Sequence, residues 1–529
     1  MVKQLAPYIV LAIFNVLMLG GFSVATYRTP RNLFISLASF GLLGWWVYGA
    51  SFIPLTGLGL TLVLGLLAWW ILCTLFSTRT DLSIPAMIPI IGTVVVCGLM
   101  EFNLTGIAIL CGSIGLNCIY AILQNGLHHK YKLRWDIFKD GSHKGYPIGF
   151  SGNTIHLSIM CMVYVFLSVY LVLLHHWAWG FLTVLFLYTM YLTRCRTALV
   201  GLCVGGLYVL GCLNLTLFVI TLAVMFLVAI MWKQLPNYLT NNSTLQERLK
   251  YWKIGSIQIT QSPVFGIGVG VYGTKVPFIQ RLLRDKITEK TLYPNHTRVH
   301  NDYIQHAIDF GIIGFIGYIS YLTFVVSLGI ATQSIEMIIL TGALIGLLTS
   351  GMFFNYLDIA PLRPLLWMVS FFILQLTTSN VGTQLSPWLW IGVVVYGLFT
   401  LRFMIKELAA DMAFAPYYGS NCNVPPLPAL VYKPNLTMAR SRAVGRYLLH
   451  GDPWQAFHHA IHAIKLYDGD QVYWELWNNL GVVFMSTQCF NLAEKCFEHS
   501  LGFCPTYESS LRNLKLIADL KKQARRVEV

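Results

Sequence analysis

Three clusters in the second half of the chain combine residue types suited to anion binding and proton transfer. The first is Gln246-Glu247-Arg248-Leu249-Lys250-Tyr251-Trp252. Arg248 lies near the start of an amphipathic stretch, and a guanidinium presents a rigid fork of donors that suits phosphate. The second is Gln261-Ser262-Pro263-Val264-Phe265-Gly266-Ile267-Gly268-Val269-Gly270-Val271-Tyr272. Its glycines allow tight backbone turns and close approach to a ligand. The third is Val299-His300-Asn301-Asp302-Tyr303-Ile304-Gln305, running into a helix that carries Asp309-Phe310-Gly311-Ile312-Ile313-Gly314. Histidine is the side chain best suited to take a proton near neutral pH. Asp302 could orient His300 or cap the helix expected from Tyr303. Each cluster alone has an ordinary reading: a headgroup contact, a turn, a solvated histidine. The glycine run follows no buried strand and opens no helix of a βαβ unit, which excludes a dinucleotide site. The ordered set of three points to chemistry.

The elements around these clusters belong to a membrane. Of 529 residues 56% are hydrophobic and only 11% charged, with mean hydropathy +0.63; a soluble chain carries about a quarter charged residues. A span needs about 20 apolar residues, and in lipid such a run must be helical to pair its own backbone. Thirteen spans are expected, with an error of one or two: Ala6–Thr26, Leu33–Gly49, Pro54–Phe76, Ile84–Glu101, Leu104–Gln124, Thr154–Leu174, Trp177–Thr193, Leu199–Cys212, Thr216–Trp232, Tyr303–Ala331, Ile335–Phe354, Pro361–Thr378 and Pro387–Met404. The fold class is thus all-α, a polytopic bundle of about 12–13 spans. Met1-Val2-Lys3 followed by a long apolar run reads as a first anchor rather than a cleaved signal. No two of the twelve cysteines form a CxxC pair, so a zinc or redox site is not expected, and neither metal nor cofactor is implied.

Two hydrophilic loops interrupt the spans. Residues 125–152 hold His128-His129-Lys130-Tyr131-Lys132, Arg134, Lys139 and Lys144. Residues 233–302 hold ten Lys or Arg against four acids, a formal +6 within a chain of net +14. The basic balance suits anionic lipid, phosphate or nucleic acid, and the membrane setting favours the first two. Four spans separate the loops, which puts both on one side, with Arg28, Arg31, Arg79 and Arg194-Cys195-Arg196. Charge placement alone would make that side cytoplasmic.

A turn-rich linker, residues 406–435, leads to a soluble helical tail, residues 436–529. There Trp477, Leu480, Gly481, Phe484, Ala493, Phe497 and Pro505 match the tetratricopeptide pattern, and Gly445, Ala456, Ala460 and Ala463 suggest a degenerate earlier copy. Such a tail is a stabilising addition or a docking surface for a protein partner.

The order Arg-x3-Trp, Ser-Pro-x2-Gly-x-Gly, then His-Asn-Asp-Tyr-x-Gln-x3-acid-x-Gly-x2-Gly resembles the O-antigen ligase and polymerase superfamily. Arg248 and Trp252 match the first element; Ser262, Pro263, Gly266, Gly268 and Gly270 the second; His300, Asn301, Asp302, Tyr303, Gln305, Asp309, Gly311 and Gly314 the third. Asp309 stands where the family more often has Glu. Thr193-Arg194-Cys195-Arg196 resembles the family's Ser-Arg segment, with Arg196 the matching arginine, and Gly149–Asn153 loosely resembles its glycine-and-asparagine stretch. The resemblance covers residues 1–405. It implies a metal-independent glycosyltransferase in the bacterial cytoplasmic membrane, taking a glycan from an undecaprenyl-pyrophosphate carrier to an acceptor hydroxyl. In it Arg196 and Arg248 hold the pyrophosphate, and His300 activates the acceptor. Asp302, Tyr303, Trp252, Gly266, Gly268 and Asp309 support them. It also implies a periplasmic long loop and tail, against the charge bias. The acceptor is open: lipid A core, a growing polysaccharide or a protein hydroxyl, giving a ligase, a polymerase or a protein O-oligosaccharyltransferase. Two other classes remain. A transporter or flippase would use His156, Asp358 and Arg363, and a scaffold would work through the tail.

Overall fold

A computed structural model describes residues 2–16, 29–48, 52–53, 57–131, 147–151, 153–222, 243–273, 276, 298–356, 359–377, 383–384, 389–414, 425–432, 437–466, 474–503, 505 and 507–527. They are overwhelmingly helical. The one extended feature among them is a two-residue antiparallel pairing of Phe52–Ile53 with Thr383–Gln384. They fall into two compact units, one containing Ala25–Gly270 and Val299–Ile405, the other Lys406–Val529.

The first unit is a polytopic membrane bundle. Its helices are α1 (Val2–Val16), α2 (Thr29–Tyr48), α3 (Gly57–Leu75), α4 (Thr80–Gly98), α5 (Leu104–Tyr131), α6 (Thr154–Leu174), α7 (Gly180–Thr193), α8 (Arg196–Leu213), α9 (Ser243–Gln261), α10 (Asp302–Ala331), α11 (Ile335–Gly351), α12 (Arg363–Thr377) and α13 (Leu389–Phe414). Among the described residues α3, α4, α5, α6, α8 and α10 are long and apolar enough to cross a membrane. Polar side chains cap the starts of α6 and α11: Asn153 accepts from Ile155 N, and Ser334 from Met337 N.

The sequence expectation ended the fifth span at Gln124. Helix α5 instead runs on to Tyr131, through a stretch that contains no proline. The last span likewise continues from Met404 to Phe414. Of the expected span Thr216–Trp232, residues 215–222 are helical and the rest lie outside the described residues.

Two contacts fix the bundle around the site. Gly201 and Gly205 of α8 pack against Gly346 and Gly342 of α11. A Cβ on Gly201 would stand 2.6 Å from Gly346 O, and one on Gly205 would collide with Gly342 O. This small-xxx-small pairing brings two backbones together where side chains would hold them apart. It also sets the start of α8, with Arg196, at the same end as the chain that leaves α11.

The second contact is a break in α10. Gly311 has φ 71° and ψ −179°, so the helix stops and restarts. The freed backbone groups are met by the glycine turn: Ile267 N donates to Ile308 O at 2.8 Å, Gly268 N to Asp309 O at 3.1 Å, and Ile312 N to Pro263 O at 2.7 Å. Trp69 Nε1 of α3 donates to Phe310 O at 3.0 Å. A broken helix at membrane depth is tolerated only when its orphaned groups find such partners.

The second unit contains α14 (Leu427–Tyr432), the antiparallel pairs α15 (Thr437–Leu449) with α16 (Pro453–Leu466) and α17 (Trp474–Ser486) with α18 (Phe490–Phe503), and α19 (Glu508–Val527). Gly481 lies under the Phe497 ring, where a Cβ would stand 2.5 Å from it. Gly445, expected to serve the same purpose in the earlier pair, faces open space instead. Closeness there comes from the buried Ala456, Ala460 and Ala463.

Candidate active site

Helix α9 places Arg248, Tyr251 and Trp252 on one face, at i, i+3 and i+4. All three meet residues from elsewhere. The Arg248 guanidinium stands over the Phe353 ring, 5.8 Å from its centroid, and the Trp252 ring lies 6.4 Å from the same phenylalanine. The His300 ring lies 6.0 Å from Tyr251 and 6.0 Å from Phe354. His156 of α6 also meets Phe354, edge-on at 5.5 Å. Two residues that follow α11, Phe353 and Phe354, are therefore where the arginine and histidine clusters converge.

Arg248 is half-buried. Burial lowers its pKa from the usual guanidinium range, partly offset by nearby Cys195. Arginine stays charged under such a shift, so the site holds a partly desolvated cation, which favours an anion more than a fully hydrated one does. Burial conversely raises the Cys195 thiol, with backbone hydrogen bonds and Arg248 among the opposing influences. A neutral thiol is no nucleophile. The mutual influence of Cys195 and Arg248 means that the turn Arg194-Cys195-Arg196 lies near α9. Arg194 closes α7 in the left-handed region (φ 52°), and Arg196, exposed, opens α8.

His300 also has left-handed backbone, φ 57°, uncommon for a residue with a Cβ and found at sites where surroundings enforce it. The enforcing contacts can be traced. Val299 N donates to Gln305 Oε1 at 3.2 Å. Asn301 Oδ1 accepts from Ile304 N at 3.0 Å, and its Nδ2 donates to Met352 O at 3.0 Å. Asn301, rather than Asp302, is thus the cap of α10. Asp302 opens the helix and is bound through both oxygens, by Tyr356 N at 2.8 Å and Tyr318 Oη at 2.8 Å. Gln305 Oε1 also accepts from Asn355 Nδ2 at 3.1 Å, while its Nε2 donates to Asp309 Oδ1 at 3.0 Å. Tyr303 Oη donates to Leu348 O at 2.7 Å.

The expected site residues therefore divide. Arg248, Trp252 and His300 come together, and the turn before Arg196 adjoins them. Asp302 is bound by Tyr356 and Tyr318, Tyr303 by Leu348 and Asp309 by Gln305. Gly266 and Gly268 approach the α10 backbone and Ser77: a Cβ on Gly266 would stand 2.5 Å from Ile308 O. Their tightness serves docking of the chain onto itself. Lys275, Arg281, Arg284, Lys286, Lys290 and Asp358 lie outside the described residues. Of the transporter candidates, His156 Nδ1 is 3.3 Å from Ser151 O, and the buried Arg363 has Nη1 3.5 Å from Asn32 Oδ1. No group of three or more His, Cys, Asp or Glu is placed to hold a metal ion among the described residues.

Residue reasoning missed Phe353, Phe354, Tyr251 and the proximity of His156. Tyr251 carried a signal, its i+3 spacing from Arg248. The two phenylalanines carried none, being the end of an apolar run.

Residues 181–319 match the family model described as O-antigen ligase. The match runs from α7 into α10 and contains Arg196, Arg248, the glycine turn and His300; His156, Phe353 and Phe354 fall outside it. No curated protein matches the chain.

Proposed function

We propose, from the match of residues 181–319 to the O-antigen ligase family model, that the protein transfers a glycan from an undecaprenyl-pyrophosphate carrier to an acceptor hydroxyl on the periplasmic face of the bacterial cytoplasmic membrane. The observation that carries this reading is the convergence of Arg248 and His300 on Phe353-Phe354, with the Arg196 turn alongside. In this reading Arg196 and Arg248 bind the pyrophosphate. As the acceptor oxygen bonds to the anomeric carbon, the glycosyl–phosphate bond breaks and the carrier leaves with the electron pair. Cations fixed at that leaving group stabilise charge where it develops. His300 takes the acceptor proton. The positive charge these steps need comes from the arginines, and the metal-independent reading rests on them. The first turn of α8 adds its own partial positive charge beside Arg196.

The paired helices of the second unit favour, as a second reading, a protein as acceptor or partner. Exposed Leu449 and Trp454 flank the α15–α16 turn, where a bound chain could bury them. The acceptor then decides between ligase, polymerase and protein O-oligosaccharyltransferase.

The test is transfer from a defined lipid-linked donor by membranes holding wild type, His300→Ala or Arg248→Ala. Product with wild type and none with either variant, at equal protein level, supports the reading. Normal product from both variants sinks it. Lipid scrambling in vesicles without any acceptor would support the flippase class instead.

A further inference from the structure

The loop after α11 is held from behind by the same polar residues that precede and open α10. Asn301 binds the carbonyl of Met352, Gln305 binds the Asn355 amide, and Asp302 binds the Tyr356 backbone N–H. Tyr356 Oη in turn bonds Ser350 and donates to Leu347 O at 2.9 Å. Five residues, 352–356, are thereby fixed at three points. Their front face carries Phe353 toward Arg248 and Trp252, and Phe354 toward His300 and His156. The glycine pairing of α8 with α11 anchors the same end: Gly346 lies seven residues before Phe353, about 10 Å along the chain at 1.5 Å per residue.

We propose that Phe353-Phe354 is a positioning element that holds the anion-binding arginine and the proton-accepting histidine in one register, and that Asn301, Asp302 and Gln305 act through it. The proposal rests on the glycosyl-transfer reading above. Each ring has its own task. Phe353 presents its π-face to the Arg248 guanidinium, an attraction that orients a cation without neutralising it. The ring leaves the guanidinium charge uncompensated for the pyrophosphate, as a carboxylate partner would not. Phe354 contacts the rings of both His300 and His156 and limits the positions open to His300, which is already in left-handed backbone. Asp302 has both oxygens committed to Tyr356 and Tyr318, so its link to the chemistry runs through the loop.

The division of tasks gives a split that a general packing role would not. Intact protein in lipid nanodiscs is titrated with undecaprenyl pyrophosphate, and transfer is measured in parallel at saturating lipid-linked donor. Phe353→Leu should weaken binding of the pyrophosphate lipid about three- to tenfold, the range of a cation–π contact, with a smaller change in turnover. Phe353→Trp, the better π-face, should restore binding. Phe354→Leu should lower turnover at least tenfold and leave pyrophosphate binding within about twofold, as expected for misplacement of a proton acceptor. Wild-type behaviour of both leucine variants would overturn the proposal, and so would parallel loss of binding, turnover and thermal stability in both. His300→Ala and Arg248→Ala run alongside. If they are inactive while the phenylalanine variants are normal, the bridge alone fails; if they too transfer normally, the glycosyl-transfer reading fails with it.

Discussion

His300 occupies a backbone conformation that a Cβ opposes, and four side-chain hydrogen bonds around it hold the chain there. Left-handed backbone is cheaper for Asn than for Ala. His300→Asn should therefore keep wild-type thermal stability while losing transfer, whereas His300→Ala should lose transfer and also be less stable by about 1 kcal/mol. Melting of both purified variants decides this, and equal stability would show that the strain is relieved some other way. Arg248 permits a second test. Arg248→Lys keeps the charge but loses the planar fork and most of the stacking on Phe353. The donor concentration for half-maximal transfer should rise about tenfold with a smaller fall in maximal rate; unchanged kinetics would mean that charge alone suffices. These two residues were legible in the sequence because polar groups in an ordered motif stand out in an apolar chain. Phe353 and Phe354 were not, because at the end of an apolar run a ring facing an arginine has the same sequence signature as a ring facing lipid.

Among the elements, the glycine turn and the broken helix α10 define one another. The turn supplies two donors and one acceptor that α10 lacks at its break, and Gly311 and Gly266 both have positive φ where their backbones meet. The sequence reading recognised a backbone that must approach something closely, but the partner was forty residues away on a helix expected to be continuous. Only the tertiary fold says what the glycines approach. A Cβ at Gly311 would collide with the Val264 carbonyl, and its φ and ψ lie where only glycine is comfortable. Gly311→Ala should cost about 3 kcal/mol or more and reduce the yield of folded protein. Gly112→Ala, on α5 with open space around the new methyl, should change stability by less than about 1 kcal/mol. Thermal unfolding in one detergent compares them, and equal effects would mean the latch contributes no stability. The α8–α11 glycines follow the same logic and were equally hidden: nothing in either run says which other run it meets.

At the scale of the molecule, the two compact units should respond to pH in different ways. The first unit carries the long apolar helices, while the second unit has a small apolar core beside a buried histidine. His459 of α16 is packed among Arg440 of α15, 3.3 Å from its Nδ1, the Tyr447 ring stacked at 5.4 Å, and the neighbouring His458 and His462. Burial first, then the Arg440 charge, lowers its pKa from 6.5 to about 4. The folded form thus resists a proton that the unfolded chain accepts. As pH falls below 6.5 the unfolded state gains protons first, so the second unit loses stability down to about pH 4, where the folded form is protonated too and the loss levels off. Hydrogen exchange of the whole protein should show protection of the α15–α16 amides falling between pH 7 and pH 5, after correction for intrinsic rates, while α6 and α11 hold. His459→Gln should remove most of that difference by removing the titrating group. An equal drop in the variant would assign the effect to other charges, and an equal drop in α6 and α11 would mean that the two units unfold as one.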